Sequence, residues 1–207
     1  MVQVLKEELR EAILKSAAEV FAEQGFKDAR LSDIAARAGT STSNLYKYAK
    51  DKAALFDQVV PKALAERYAG ILERRVSEFS GRPDWQALTH TGSREAADLL
   101  HFWIAHRHVA VILMSRGGGT AYEAFGARMV SMMVESTLAN SDAANNGPHV
   151  RMLLEQIFTN TLTTLSSILM RFEKEADITA AVSMFWRFQL AGLTALHEDA
   201  TESKQPR

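Results

Sequence analysis

"AGTSTSNLYKYAKDKAALF", residues 38–56, decides the fold. Most of the chain spaces Leu, Ala and Val at helical intervals. Here a glycine opens a run of small hydroxyl and amide residues, followed by two tyrosines flanked by lysines. Gly39 can take the left-handed backbone that ends a helix. Ser41 can cap a new helix over residues 42–48, its hydroxyl accepting from a free backbone N–H. Asp51 can cap another in the same way. A short helix over residues 31–38, with Ile34 and Ala35 turned inward, precedes the glycine. Two short helices joined by such a turn make a helix-turn-helix pattern, although a plain helical hairpin with a solvated turn has the same spacing.

The second helix of such a pair can lie in the major groove of DNA. The outward face, Thr42, Ser43, Asn44 and Lys47, is lean and polar enough to approach base edges, while Leu45 holds the helix to its domain. Asn can pair with adenine edges, and a Thr methyl can touch a thymine methyl. Tyr46, Lys47 and Tyr48 are expected to reach phosphates. So is Lys52, at a helix start where free N–H groups also favour an anion. Residues 27–52 carry six Lys or Arg against three acids, whereas the whole chain has a net charge of −1. Contact with nucleic acid must therefore come from this local patch.

Outward from the motif, the periodicity stays helical. Leu9, Ile13, Ala17, Val20 and Phe21 form one stripe, and Gly25 reads as the stop of that helix. Downstream, one long helix carries Leu55, Val59, Leu64, Tyr68, Ile71 and Leu72, with Pro61 inside it and a bend expected near residues 57–62. Gly81 and Pro83 mark the next break. A helix over 84–106 follows, disturbed at Gly92, then an apolar piece over 109–114 ending at Gly117, Gly118 and Gly119. Thr120 is expected to cap a helix reaching residue 138, with a polar loop over 140–148. Two long helices, about 149–172 and 176–197, are apolar over arcs too wide for one neighbour and need more than their own core to bury against. Residues 200–207 are expected to fray. With no period-2 strand pattern and no repeat, the chain reads as all-α.

Composition narrows the function. The chain of 207 residues is 47% apolar and 24% charged and has no cysteine. That excludes disulfides, thiolate zinc sites and cysteine nucleophiles, and fits a reducing cytoplasm. The charged N-terminus reads as no signal peptide, and no apolar run is long enough to span a membrane. His101 and His108 stand two turns apart, about 10 Å, with no carboxylate at ligand spacing, so we expect no metal and no cofactor. The glycines at 117–119 lack the lysine of a phosphate loop. No catalytic constellation presents itself, and we expect no enzyme. The segment 101–114 mixes aromatic bulk with polar tips. Phe102, Trp103, His106 and Arg107, with Met129, Met133 and Phe158, suit a ligand cavity, and individually suit plain core equally well. Phe185 and Trp186 suit a dimer contact as well. Arg107, if buried without an acidic partner, would hold a ligand's anionic group.

The segments "ILKSAAEVFAEQGF", "LSDIAARAG" and "TSTSNLYKYAKDKAALF" together resemble, in order and spacing over about residues 9–60, the N-terminal domain of the TetR (tetracycline repressor-like) transcriptional regulators. The resemblance implies that Thr42, Ser43, Asn44, Tyr46 and Lys47 contact DNA and that Lys52 holds a phosphate. It further implies a C-terminal helical domain that encloses a ligand pocket and dimerises through the last two long helices. Three residues depart from the pattern. Arg30 stands where a Thr or Ser cap is usual, leaving Ser32 or Asp28 to substitute. Thr40 replaces a small apolar residue. Ala49 stands where a bulky aromatic packs, leaving either a thinner anchor or Tyr48 turned inward.

We thus expect an N-terminal helix-turn-helix domain over 1–52, a helical effector-binding and dimerisation domain over 53–200, and a tail over 201–207. The expected function is a cytoplasmic homodimeric repressor released from a palindromic operator in double-stranded DNA by a small apolar or amphipathic effector. The alternatives are an effector-independent DNA-binding protein and a helical protein-interaction module.

Overall fold

The computed structural model of the chain describes residues 2–79, 93–139 and 147–202, with side chains described for 5–79, 93–139 and 147–193. Among the described residues there is no strand. The first helix, α1 (Val2–Asp28), buries the expected stripe: Ile13, Ala17, Val20 and Phe21 are each at most 1% exposed. Burying a side chain of that size stabilises by about 1.5–3 kcal/mol. Gly25 interrupts the helical backbone where the stop was expected, at φ 79° and ψ 164°, a left-handed conformation that favours glycine, and residues 26–28 continue beyond this kink. Beyond the kink Phe26 packs against Phe21 and Phe56, with ring centroids 5.9 and 5.2 Å away.

The motif helices are α2 (Leu31–Arg37) and α3 (Thr42–Leu45), packed on each other and on α1 through Ile34, Ala35 and Leu45. Gly39, at φ 67°, turns the chain between them. Ser41 caps α3 by accepting from the Asn44 N–H at 3.2 Å. The second helix is shorter than the expected 42–48, because residues 46–48 continue as turns. Arg30 makes no side-chain cap to α2, and Ser32 donates to Asp33 instead. A guanidinium fork fastens α2 to α1: Arg37 donates through both terminal nitrogens to the two Glu23 oxygens at 2.8 Å.

The long helix expected through Pro61 is two helices, α4 (Lys52–Val59) and α5 (Lys62–Ser77). The residue before a proline is pushed out of the α region. Val60 accordingly sits at φ −121° and ψ 70°. Pro61, at ψ 141°, becomes the N-cap of α5, its carbonyl accepting from Leu64 and Ala65. Asp51 caps α4 as expected, accepting from Ala54 N at 2.7 Å.

The rest is helical too: α6 (Arg94–Ala105), α7 (Arg107–Val111) running into a π-helical turn (Ile112–Arg116), α8 (Phe125–Ala139), α9 (Pro148–Arg171) and α10 (Glu175–Glu202). Ser93 caps α6. Residues 84–92, Gly81, Pro83 and most of the loop over 140–148 lie outside the described residues. Thr120 does not cap α8. Its hydroxyl donates to Gly117 O and accepts from Tyr122 N, building a turn, and the helix starts at Phe125. The last helix continues through Glu202, past residue 200 where fraying was expected, and 203–207 lie outside the described residues.

Aromatic stacking joins these helices. Tyr68 of α5, fully buried, stacks on Phe102 of α6 at 4.6 Å and on Phe125 of α8 at 5.7 Å. Its hydroxyl accepts from the Trp103 indole N–H at 2.9 Å. Toward the motif, Tyr122 meets Phe56 with centroids 6.3 Å apart, and α1 packs on α7 and the π turn.

Candidate functional site

The polar stretch after Gly39 sits at the surface of the N-terminal helices. Ser43, Tyr46 and Lys47 are exposed, Tyr46 by 53%. Thr42 and Asn44 are half-buried. Asn44 Nδ2 donates to Thr40 Oγ1 at 2.9 Å, which satisfies the hydroxyl that Thr40 adds to the turn and ties the Asn side chain to it. Tyr48 is half-buried against the core, and Ala49 is itself buried at 4% exposure. A fastening that the sequence reading missed holds this segment: Gln58 Nε2, on α4, donates to the Tyr48 carbonyl at 3.0 Å. Arg10 of α1 in turn reaches Gln58 Oε1.

Lys52 is placed differently from expectation. Its ammonium donates to the carbonyls of Lys27 and Ala29, at 3.1 and 2.9 Å, and lies 4.7 Å from the centre of the Phe26 ring. Carbonyls at a helix C-terminus carry partial negative charge and no intrahelical partner, so a cation is well placed there. Lys52 therefore closes the end of α1 rather than projecting from the start of α4. Of the seven residues expected to meet DNA, the structure leaves Ser43, Tyr46 and Lys47 outermost.

The second part is an apolar cavity of about 110 Å³ among α5, α6, α8, α9 and α10. Trp103, Met129, Met133 and Phe158 line it, as expected. Phe102, His106 and Arg107 do not. Phe102 faces Tyr68 instead. His106 sits at the break between α6 and α7, at φ −131° and ψ 39°, beside the Phe102 ring. Burial, then Arg67 and His101, push its imidazole below the ordinary range. Arg107 donates to Phe172 O and Glu173 Oε1, at 3.0 and 3.1 Å, closing the C-terminus of α9 as Lys52 closes that of α1. It has the acidic partner whose absence the ligand role required. Trp186 also lines the cavity, although the sequence reading weighed it as a dimer contact. Leu72, Arg75 and Thr161 were missed, since α5 and α9 carry long apolar stripes that look like ordinary core.

At the cavity's edge Arg75 Nη1 donates to Glu78 Oε2 at 2.6 Å, and Ser93 Oγ donates to the same oxygen at 3.1 Å. Burial alone would raise the Glu78 carboxyl, but these bonds and the Arg75 charge hold it below the ordinary carboxylate range. On the far side, α9 and α10 leave large apolar side chains in solvent: Met152 (61%), Leu153, Met184 and Phe188 (78%).

Among the described residues no three His, Asp or Glu side chains gather as a metal site, and no helix is long and apolar enough to cross a membrane. No curated protein matches the chain. Solved structures do, among them the following two. The fatty acid degradation regulator FadR from Bacillus halodurans is 16% identical over 89% of this chain and 96% of that one, with a TM-score of 0.40. A protein described as a TetR-family transcriptional regulator from Rhodococcus sp. is 18% identical over 92% and 99%, with a TM-score of 0.33. Superpositions this loose bear on neither ligand nor assembly. The family model of the bacterial regulatory proteins of the tetR family matches residues 13–59, the span of α1, α2, α3 and α4 just described. The chain therefore carries, at residues 13–59, the helix-turn-helix domain of the tetR family of bacterial regulatory proteins.

Proposed function

We propose that the protein is a homodimeric transcriptional repressor that binds a palindromic operator and is released by a small, largely apolar effector. The observation that carries the DNA half is the exposed, lean face of α3 and its following turn within a matched helix-turn-helix domain. Ser43, Tyr46 and Lys47 make the outermost contacts, with Thr42, Asn44 and Tyr48 at their margin. Residues 1–52 read DNA, and residues 53–200 bind the effector and dimerise. Helix α4 is the joint between the two parts. Dimerisation through α9 and α10 would cover Met152, Leu153, Met184 and Phe188, and a twofold places two motifs about 34 Å apart, one helical turn of DNA.

Effector control is supported by the cavity and by its connection to the motif. Trp103 is bonded to Tyr68, which stacks on Phe125, and Tyr122 of the same turn region packs on Phe56 of α4. An effector acts only by favouring one spacing of the two motifs over another. The test is fluorescence anisotropy with the palindrome nearest the protein's own promoter, using wild type and Lys47→Ala. We expect salt-dependent binding and at least tenfold loss in the variant. Equal affinity of the variant, or no duplex binding at low salt, overturns the proposal.

A further inference from the structure

Effector binding at the cavity poses a chemical question: which head group does the wall accept? Arg75 is the only charged side chain lining it among the described residues. That cation is already neutralised. Its guanidinium holds Glu78 at 2.6 Å, the pair is only 13% and 18% exposed, and the Phe79 ring covers it with the centroid 4.3 Å from the guanidinium carbon. Ser93 Oγ donates to the same Glu78 oxygen and lies 3.5 Å from the same Arg75 nitrogen, and Glu95 adds a second carboxylate beside Glu78. An incoming carboxylate would compete with one tethered three residues away, at high effective concentration.

The neutral polar groups are closed as well. Thr161 Oγ1 donates to Ile157 O at 3.0 Å, and Thr137 Oγ1 donates to Met133 O at 2.8 Å. The Trp103 indole donates to Tyr68. These donors are all engaged within the protein, and the Thr161 hydroxyl oxygen keeps only acceptor capacity. An anion would therefore lose its water without gaining a free cation or donor, whereas a neutral apolar body loses little.

Resting on the effector-binding proposal, we infer that this cavity takes an uncharged, mainly apolar molecule whose polar group is at most a weak donor such as a hydroxyl, and that it discriminates against carboxylates. Three probes with one tail and different heads test this: decanol, decanoate and decylammonium, each below its aggregation limit. Intrinsic fluorescence of the full chain reads binding, because Trp103 and Trp186 line the cavity. Decanol should saturate with a Kd at least tenfold below those of the two ions. An ion that binds as tightly as decanol overturns the head-group assignment and leaves an effector site standing. No saturable response to any probe overturns the effector site too. In Glu78→Gln, where Arg75 is released, decanoate should bind at least tenfold tighter and decanol within twofold of wild type. Unchanged decanoate binding there refutes the role given to the ion pair, and the wild-type comparison stands even if this variant does not fold.

Discussion

Lys52→Met is the substitution that best separates a cation holding the fold together from one holding a phosphate. Methionine keeps most of the stem and removes the ammonium. The structure assigns that ammonium two carbonyl bonds, at 3.1 and 2.9 Å, and a place over the Phe26 ring. Hydrogen bonds to a charged group contribute about 1.5–3 kcal/mol, and an exposed cation–π contact about 0.5–1 kcal/mol. Lys52 is half-buried, and solvent screening takes back part of both. We therefore expect a loss of about 1–2 kcal/mol. With a urea slope of about 2 kcal/mol per molar, the midpoint should fall by roughly 0.5–1 M at unchanged slope. DNA binding should lose little, and the dependence of log affinity on log salt should keep its slope, since each phosphate contact contributes about 0.9 to it. A midpoint within about 0.1 M of wild type, together with a slope reduced by about one contact, would falsify the assignment and return Lys52 to the phosphates.

Four further outcomes follow from the geometry. Ser41→Ala removes the cap of α3 and should cost about 1 kcal/mol in urea unfolding, with DNA affinity falling alongside; full retention of both means the cap is dispensable. Thr40→Val should free the Asn44 amide from its turn and change base preference at one operator position more than overall affinity, as read by a binding-site selection; an unchanged preference places Asn44 away from the bases. Phe188→Glu on α10 should convert dimer to monomer in sedimentation velocity, and a variant that still sediments at twice the chain mass moves the interface elsewhere. His106 and His108 are both held below their ordinary 6.5, first by burial, then by Arg67 and His101 for the one and Arg107 for the other, with Glu19, Glu23 and Glu173 partly opposing at His108. The unfolded chain then binds protons that the folded chain does not, so stability should decline as pH falls below about 6.5. His108→Gln should flatten that decline, and an identical pH profile would show that His108 titrates alike in both states.

Local chemistry carries far in this chain. The α1 stripe, the glycine between the motif helices, the Ser41 and Asp51 caps and the all-helical character could be read from residues a few positions apart, because caps, turns and helical stripes are near-neighbour physics. Pro61 shows the limit of that reading. Its ring forbids helical continuation in either of two ways, a bend or a full break, and how Tyr122 and Phe56 pack beside it is not written in its immediate neighbours. The cavity shows another limit: Leu72 and Thr161 look like ordinary core until five helices are set around one space.

What the sequence determined by itself is which segments are helical, where the motif turn lies and which narrow face is polar enough to meet DNA. What only the tertiary structure decided is the partner of each cation. Lys52 and Arg107 looked available to an anion, yet they close the C-termini of α1 and α9, and Arg75, which the sequence did not single out, is held by Glu78. A long flexible cation binds whatever unpaired oxygen the fold brings within reach, and those oxygens belong to helix ends as distant as Lys27 from Lys52 and Phe172 from Arg107.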